Sequence, residues 1–165
     1  MLPGKRVMTH AVLADRLEEG LQEVLARWRK AVRSDRRIQS DAGLSQRELT
    51  DHVPQIVQEI CELIRTRQEP SISTTDEARA NVYIRVRQGY SGPELVWELS
   101  LLRMALLGYL ANLQPENDPV DLDSYVDLSR TINIYIDLEL RYAMSVYTDL
   151  ASGQVTVEGI KPKTT

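Results

Sequence analysis

PELVWELSLLRMALLGYLAN, residues 93–112, and PVDLDSYVDLSRTINIYIDLELRYAMSVYTDL, residues 119–150, decide how this chain must fold. The first segment carries Leu95, Val96, Trp97, Leu99, Leu101, Leu102, Met104, Leu106, Leu107, Tyr109 and Leu110, more than one stripe at helical spacing. The second places Leu122, Tyr125, Ile132, Ile136, Leu140, Ala143 and Tyr147 on one face and Leu128, Tyr135, Leu138 and Tyr142 on another. A helix that is apolar on two sides must be covered on two sides. One chain can cover one side of each segment, and a second copy is the economical cover for the other. The pattern therefore predicts a homodimer with an isologous, four-helix interface built by the last two helices. Trp97, Leu101, Leu128, Tyr135, Leu138 and Tyr142 are the candidate contact residues. The competing reading makes both segments central helices of a monomer core, and the pattern leaves open which face of each helix meets a partner.

Upstream, the spacing of Ala11, Leu13, Leu17, Leu21, Val24, Leu25, Trp28 and Val32 predicts one amphipathic helix over residues 9–34. Ser45 with Glu48 forms a capping box that opens a short helix to about residue 51, and Pro54 forces a new start, giving a helix over 52–67. Thr75 or Asp76 caps a helix that runs through Gln88 and stops at Gly89, and Ser91 with Glu94 and Pro93 starts the long helix already quoted. The last helix begins at Asp118 and Pro119. The sum is an all-α bundle of about six helices. One short strand-like stretch, 154–158, lies in a tail read as a flexible linker, so the expected organisation is a helical domain over 1–150 and a tail over 151–165.

The chain has 165 residues, 42% of them apolar and 27% charged, which is ordinary globular composition. A net charge of -4 gives nucleic acid an unfavourable average field. The basic cluster Arg27, Arg29, Lys30, Arg33, Arg36 and Arg37 closes a helix whose C-terminus attracts cations anyway, so no nucleic-acid partner is expected. Cys61 stands alone, no secretory leader opens the chain and no apolar run is long enough for a membrane span; the expectation is a cytoplasmic protein without membrane contact.

Catalytic patterns are weak. His10 and His52 lack the helical-spaced partners of a metal cage, and His52 reads as a capping or solvent-facing residue. Gly89-Tyr90-Ser91-Gly92 departs from a nucleophile elbow because Pro93 stands where glycine is needed. Asp127 with Arg130, and Asp137 with Arg141, have the spacing of surface ion pairs within one helix. More unusual are Glu98 and Arg103 inside the most apolar helix, with Arg85, Gln88 and Tyr90 just upstream. If buried they must satisfy one another, since an unpaired interior charge costs several kcal/mol; a solvent-facing edge is the alternative.

Two runs carry a family resemblance: LARWRKAVRSDRRIQSDAGLSQRELTDHVPQIVQEI, residues 25–60, and ARANVYIRVRQGYSGPELVWELSLLRMALL, residues 78–107. Trp28, the Gly43-Leu44-Ser45 turn with Glu48 and Leu49, His52 with Pro54, the Arg85-x-x-Gln88-Gly89-Tyr90-Ser91 signature, and Glu98 with Leu102-Arg103 are its most specific pieces. The chain resembles the N-terminal domain of the RsbT co-antagonist family, the stressosome sensor domain that also precedes bacterial histidine kinases. The resemblance implies a globin-like fold without haem or other cofactor, dimeric, feeding a signal to an output domain. A proximal histidine would have to lie on residues 76–88, and none is there; many family members carry His where this chain has Asn81. The expected function is a non-enzymatic signal-input domain that controls a STAS-type or a histidine or serine kinase partner. A scaffold that senses nothing is the alternative.

Overall fold

The computed structural model describes residues 9–113 and 122–159. Among them the chain forms seven α-helices, two 3-10 turns and no strand. They are α1 (His10–Glu19), α2 (Leu21–Ser34), α3 (Gln46–Thr50), α4 (Val53–Thr66), α5 (Asp76–Arg87), α6 (Gly92–Asn112) and α7 (Leu122–Ala151), with 3-10 turns at Ser40–Gly43 and Ile72–Thr74. The expected start of the last helix at Asp118 and Pro119, and the end of the tail, lie outside the described residues. Residues 154–158, read as strand-like, instead turn back on themselves, with the Gly159 amide donating to Thr156.

Local chemistry sets the boundaries. At α3 the Glu48 amide donates to Ser45 Oγ at 3.2 Å while the Ser45 amide donates to the Glu48 carboxylate at 2.8 Å, so two otherwise orphaned N–H groups are satisfied together. Ser91 and Glu94 repeat the device at α6, with Pro93 in the first turn. Gly89 (φ 86°) ends α5 in the left-handed conformation, and the Tyr90 amide reaches back to the Arg85 carbonyl at 3.0 Å.

The single helix expected over 9–34 is divided at Gly20. Tyr109 of α6 lies where a Gly20 side chain would stand, and its hydroxyl donates to the Arg16 carbonyl at 3.0 Å. Close approach, not backbone conformation, is what requires glycine there. Gly20→Ala should therefore displace Tyr109 and cost about 1–3 kcal/mol in urea unfolding; an unchanged midpoint would show that the ring moves freely.

α1 packs on α4, α2 on α6, and α7 crosses α1, α4, α5 and α6. Leu128, Ile132, Tyr135 and Ile136 are accordingly enclosed by the chain's own helices, each 0% exposed. Both apolar faces anticipated on the last helix are thus largely covered from within. What remains outward is a narrower strip shared with α6.

Candidate functional site

The polar residues singled out in the sequence converge, with one exception. Arg85, on α5 and 0% exposed, donates from Nε to Glu98 Oε1 at 2.7 Å. Its Nη1 donates to Gln88 Oε1 at 2.7 Å and to the Glu48 carbonyl at 3.3 Å, and its Nη2 donates to the Leu49 carbonyl at 2.6 Å. One guanidinium thus holds α6 through Glu98 and the end of α3 through two backbone oxygens. The Tyr90 ring lies 5.2 Å from the guanidinium carbon. Burial pushes the Glu98 carboxyl above the usual range, against the pull of Arg85, and burial beside Glu98 raises the Tyr90 hydroxyl as well.

Arg103 does not join this group. It is half-buried at the edge of the core, with Nε buried and unpartnered, and its Nη2 donates to Asp137 at 2.5 Å, joining α6 to α7. The intrahelical pairs expected on α7 are also replaced: Asp127 meets His10 at 3.0 Å, Arg130 meets Glu69 at 2.5 Å, and Asp137 takes Arg103. Side chains on a bundle surface choose among acids on neighbouring helices, which sequence spacing cannot show. Three of the six residues of the basic cluster are likewise engaged: Arg27 with Glu23, Arg33 with Asp41, and Arg37 with Asp35 while stacked on Trp97. His52 occupies the N-cap of α4 without a side-chain cap bond, and burial followed by the Arg85 charge lowers its pKa. Among the described residues no group of three or more His, Cys, Asp or Glu could hold a metal ion, and no helix is long and apolar enough to cross a membrane. Burial pushes the Cys61 thiol up to about 12.

A second buried cluster had not been anticipated. Glu139 of α7, 1% exposed, accepts from Asn81 Nδ2 of α5 at 2.7 Å, and one helical turn earlier the Tyr135 hydroxyl donates to Glu59 of α4. Glu139 Oε2 and Asn81 Oδ1 are both buried without a partner. The sequence signal is positional: Glu139 falls four residues after Tyr135 and three before Tyr142, on the apolar stripe itself.

Burial raises the Glu139 carboxyl to about 8, with Asn81 pulling the other way and the Glu98 charge adding to the rise. The folded protein therefore binds this proton more tightly than the unfolded chain. The contribution to stability is complete below the ordinary value of 4.5 and is lost as pH climbs from there through about 8. Glu139→Gln, which stays neutral, should grow more stable relative to wild type between about pH 5 and about pH 9 in denaturant titrations. Parallel stability curves would show that Glu139 ionises as it does in water.

Of the six residues expected at a dimer contact, Leu128 and Tyr135 lie wholly inside the chain's own core, and Tyr142 stands edge-on to Tyr83 with ring centroids 5.9 Å apart. Leu138 is half-buried beside a cavity on the α5 side. Trp97 (37% exposed) and Leu101 do face outward, on a stripe continued by Met104 (67%), and on α7 Met144 (53%) and half-buried Leu140 form its neighbour. The Arg103–Asp137 bridge ties the two stripes together.

The bundle has charge and hydrogen bonding threaded through its core and an apolar strip on its last two helices. Residues 22–154 match the family described as RsbT co-antagonist protein rsbRD N-terminal domain. The chain belongs to that family, a family of regulatory domains of the stressosome type and not one of known enzymes. No curated protein and no solved structure matches it.

Proposed function

We propose that this chain is a non-enzymatic signal-input domain that homodimerises through the outer strip of α6 and α7. It controls an output protein of STAS or kinase type, fused or separate, by a change in how those helices pack. The strip of Trp97, Leu101, Met104, Leu140 and Met144 carries the reading, since long apolar side chains in contiguous rows on a water-facing surface mark an interaction site. The family description names RsbT co-antagonists, and the corresponding role here is input to a stressosome-type assembly. α7 suits transmission because it touches α1, α4, α5 and α6. A signal that shifts α7 against α5 also shifts Asp137 and Met144 on its opposite side, so two packings of the core become two geometries of the dimer.

Light scattering tests this directly. The wild-type chain should weigh twice 18.8 kDa, and Met104→Glu combined with Met144→Glu should return the single mass without lowering the melting temperature of the monomer. A wild type that stays monomeric at micromolar concentration overturns the dimeric reading.

A further inference from the structure

Between the Ile72–Thr74 turn, the first half of α5 and the second half of α7 lies a cavity of about 290 Å³. Ile72, Ala78, Leu138 and Tyr142 make its walls mostly apolar. The volume approaches the lower end of the range for small-molecule sites, which are characteristically apolar with a few placed polar groups. Here the placed groups are buried Glu139, half-buried Arg79 and exposed Arg141.

Glu139 accepts from Asn81 Nδ2 on Oε1 at 2.7 Å, while its Oε2 is buried without a partner. Burial raises this carboxyl to about 8, so near pH 7 it carries a proton. Because Oε1 is already accepting, the proton sits on Oε2, which makes that atom a donor in want of an oxygen. The two arginines set the charge of the guest. Arg141 has the spacing to pair with Asp137, but Asp137 takes Arg103, and Arg141 carries no ion pair among the described residues. Arg79 meets Asp76 through Nη2 and has further N–H groups to give. All three groups are donors at neutral pH and two of them are cations. A cationic guest meets repulsion and an alcohol leaves the guanidinium charge unmatched, whereas a carboxylate brings two oxygens and the opposite charge.

We propose that this cavity binds a compact apolar monocarboxylate, its body against Ala78, Leu138 and Tyr142 and its two oxygens shared between Glu139 Oε2 and the guanidinium groups of Arg79 and Arg141. The site stands on its own geometry; its use as the trigger of the domain rests on the signal-input reading above. Two facing carboxylates repel, so the guest binds the protonated form of Glu139 and favours it further. Affinity is therefore complete well below about 8 and is lost as pH rises through that value. The acids behind Glu139 are already engaged: Glu98 of α6 with Arg85 of α5, and Glu59 of α4 with the Tyr135 hydroxyl and the Glu77 amide. Tyr135 of α7 stays protonated, its hydroxyl raised by burial and by the Glu139 and Glu59 charges.

Isothermal titration calorimetry of the intact chain with benzoate reads both charge and proton. Saturable binding is expected near pH 7, with benzyl alcohol and benzylamine each at least about ten-fold weaker. From about pH 7 to about pH 9 the benzoate affinity should fall about ten-fold, because Glu139 loses its proton over that range while benzoate stays ionised. Glu139→Gln keeps a donor that does not titrate, so it should bind benzoate near pH 7 and lose the pH dependence. Arg141→Gln, a change at an exposed position, should weaken benzoate about ten-fold and leave benzyl alcohol unchanged. Absence of saturable benzoate binding, equal binding of the alcohol, a pH dependence that is missing in the wild type or survives Glu139→Gln, or indifference to Arg141→Gln each overturns the proposal. Light scattering on the same samples separates it from the dimer: a monomer that binds benzoate keeps the site and removes the dimer, and a dimer indifferent to benzoate does the reverse.

Discussion

Replacing Arg85 with methionine is expected to lower the unfolding free energy by about 3–5 kcal/mol, enough to leave a domain of ordinary stability partly unfolded at 37 °C. The side chain is 0% exposed and its guanidinium serves Glu98, Gln88 and two backbone carbonyls of α3. Methionine matches much of the volume but donates nothing. Glu98, 1% exposed, must then stay a bare buried anion or take a proton, and the Glu48 and Leu49 carbonyls lose their donor. Adding Glu98→Met removes the stranded charge, so the double variant should recover a large part of the loss, and the double-mutant cycle should show strong coupling between the two positions. Urea unfolding of the four proteins gives the answer. Additive effects would mean that the pair does not act as a unit and that Arg85 matters only as packing.

Trp28→Ala should cost a similar amount, about 3–5 kcal/mol, for a different reason. Trp28 is 1% exposed at the centre of α2, and its indole N–H donates to the backbone carbonyl of Glu98 at 3.3 Å. Truncation leaves a cavity between α2 and α6 that rigid helices cannot close, and it withdraws a donor from the residue that also holds Arg85. Trp28→Phe fills most of the cavity without the N–H and should fall between the two. If alanine costs no more than a surface substitution, the α2–α6 seam is soft, and it could not transmit a shift in helix packing.

The two variants touch opposite sides of Glu98: Arg85 holds its side chain and Trp28 its main chain. α6 is thereby fixed along its inner face, while on its outer side Met104 is exposed, Leu101 is half-buried and Trp97 carries the Arg37 guanidinium on its ring. Glu94, at the start of the same helix, is fixed by other means. Although burial opposes it, the backbone N–H groups of Ser91, Gln39 and Ser40 hold its carboxyl down at about 2, which ties the loop before α3 to α6. The inner face and the N-terminus of α6 are thus both held, and the proposed dimer switch requires α7 to shift against them.

Much of the helical plan could be read from residues alone. The boxes at Ser45 and Ser91, the stop at Gly89, the break before Pro54 and the apolar periodicity all follow from backbone groups within about four residues of one another, so a linear sequence contains the whole of their cause. The burial of Arg85 with Glu98, Gln88 and Tyr90 was also legible as a conditional, because charged residues in an apolar helix must either pair or face water. Which side of that condition applies depends on neighbours far along the chain, and there the tertiary structure decided. It put Arg85 inside and Arg103 at the half-buried edge, although both lie near the same run. It broke the first helix at Gly20 because Tyr109 arrives from 89 residues away in sequence. It enclosed Leu128 and Tyr135 within the chain and set Glu139 against Asn81 beside a cavity. Helical period fixes which residues share a face, but the direction in which that face points is set by where the other helices pack, and that is a property of the assembled bundle.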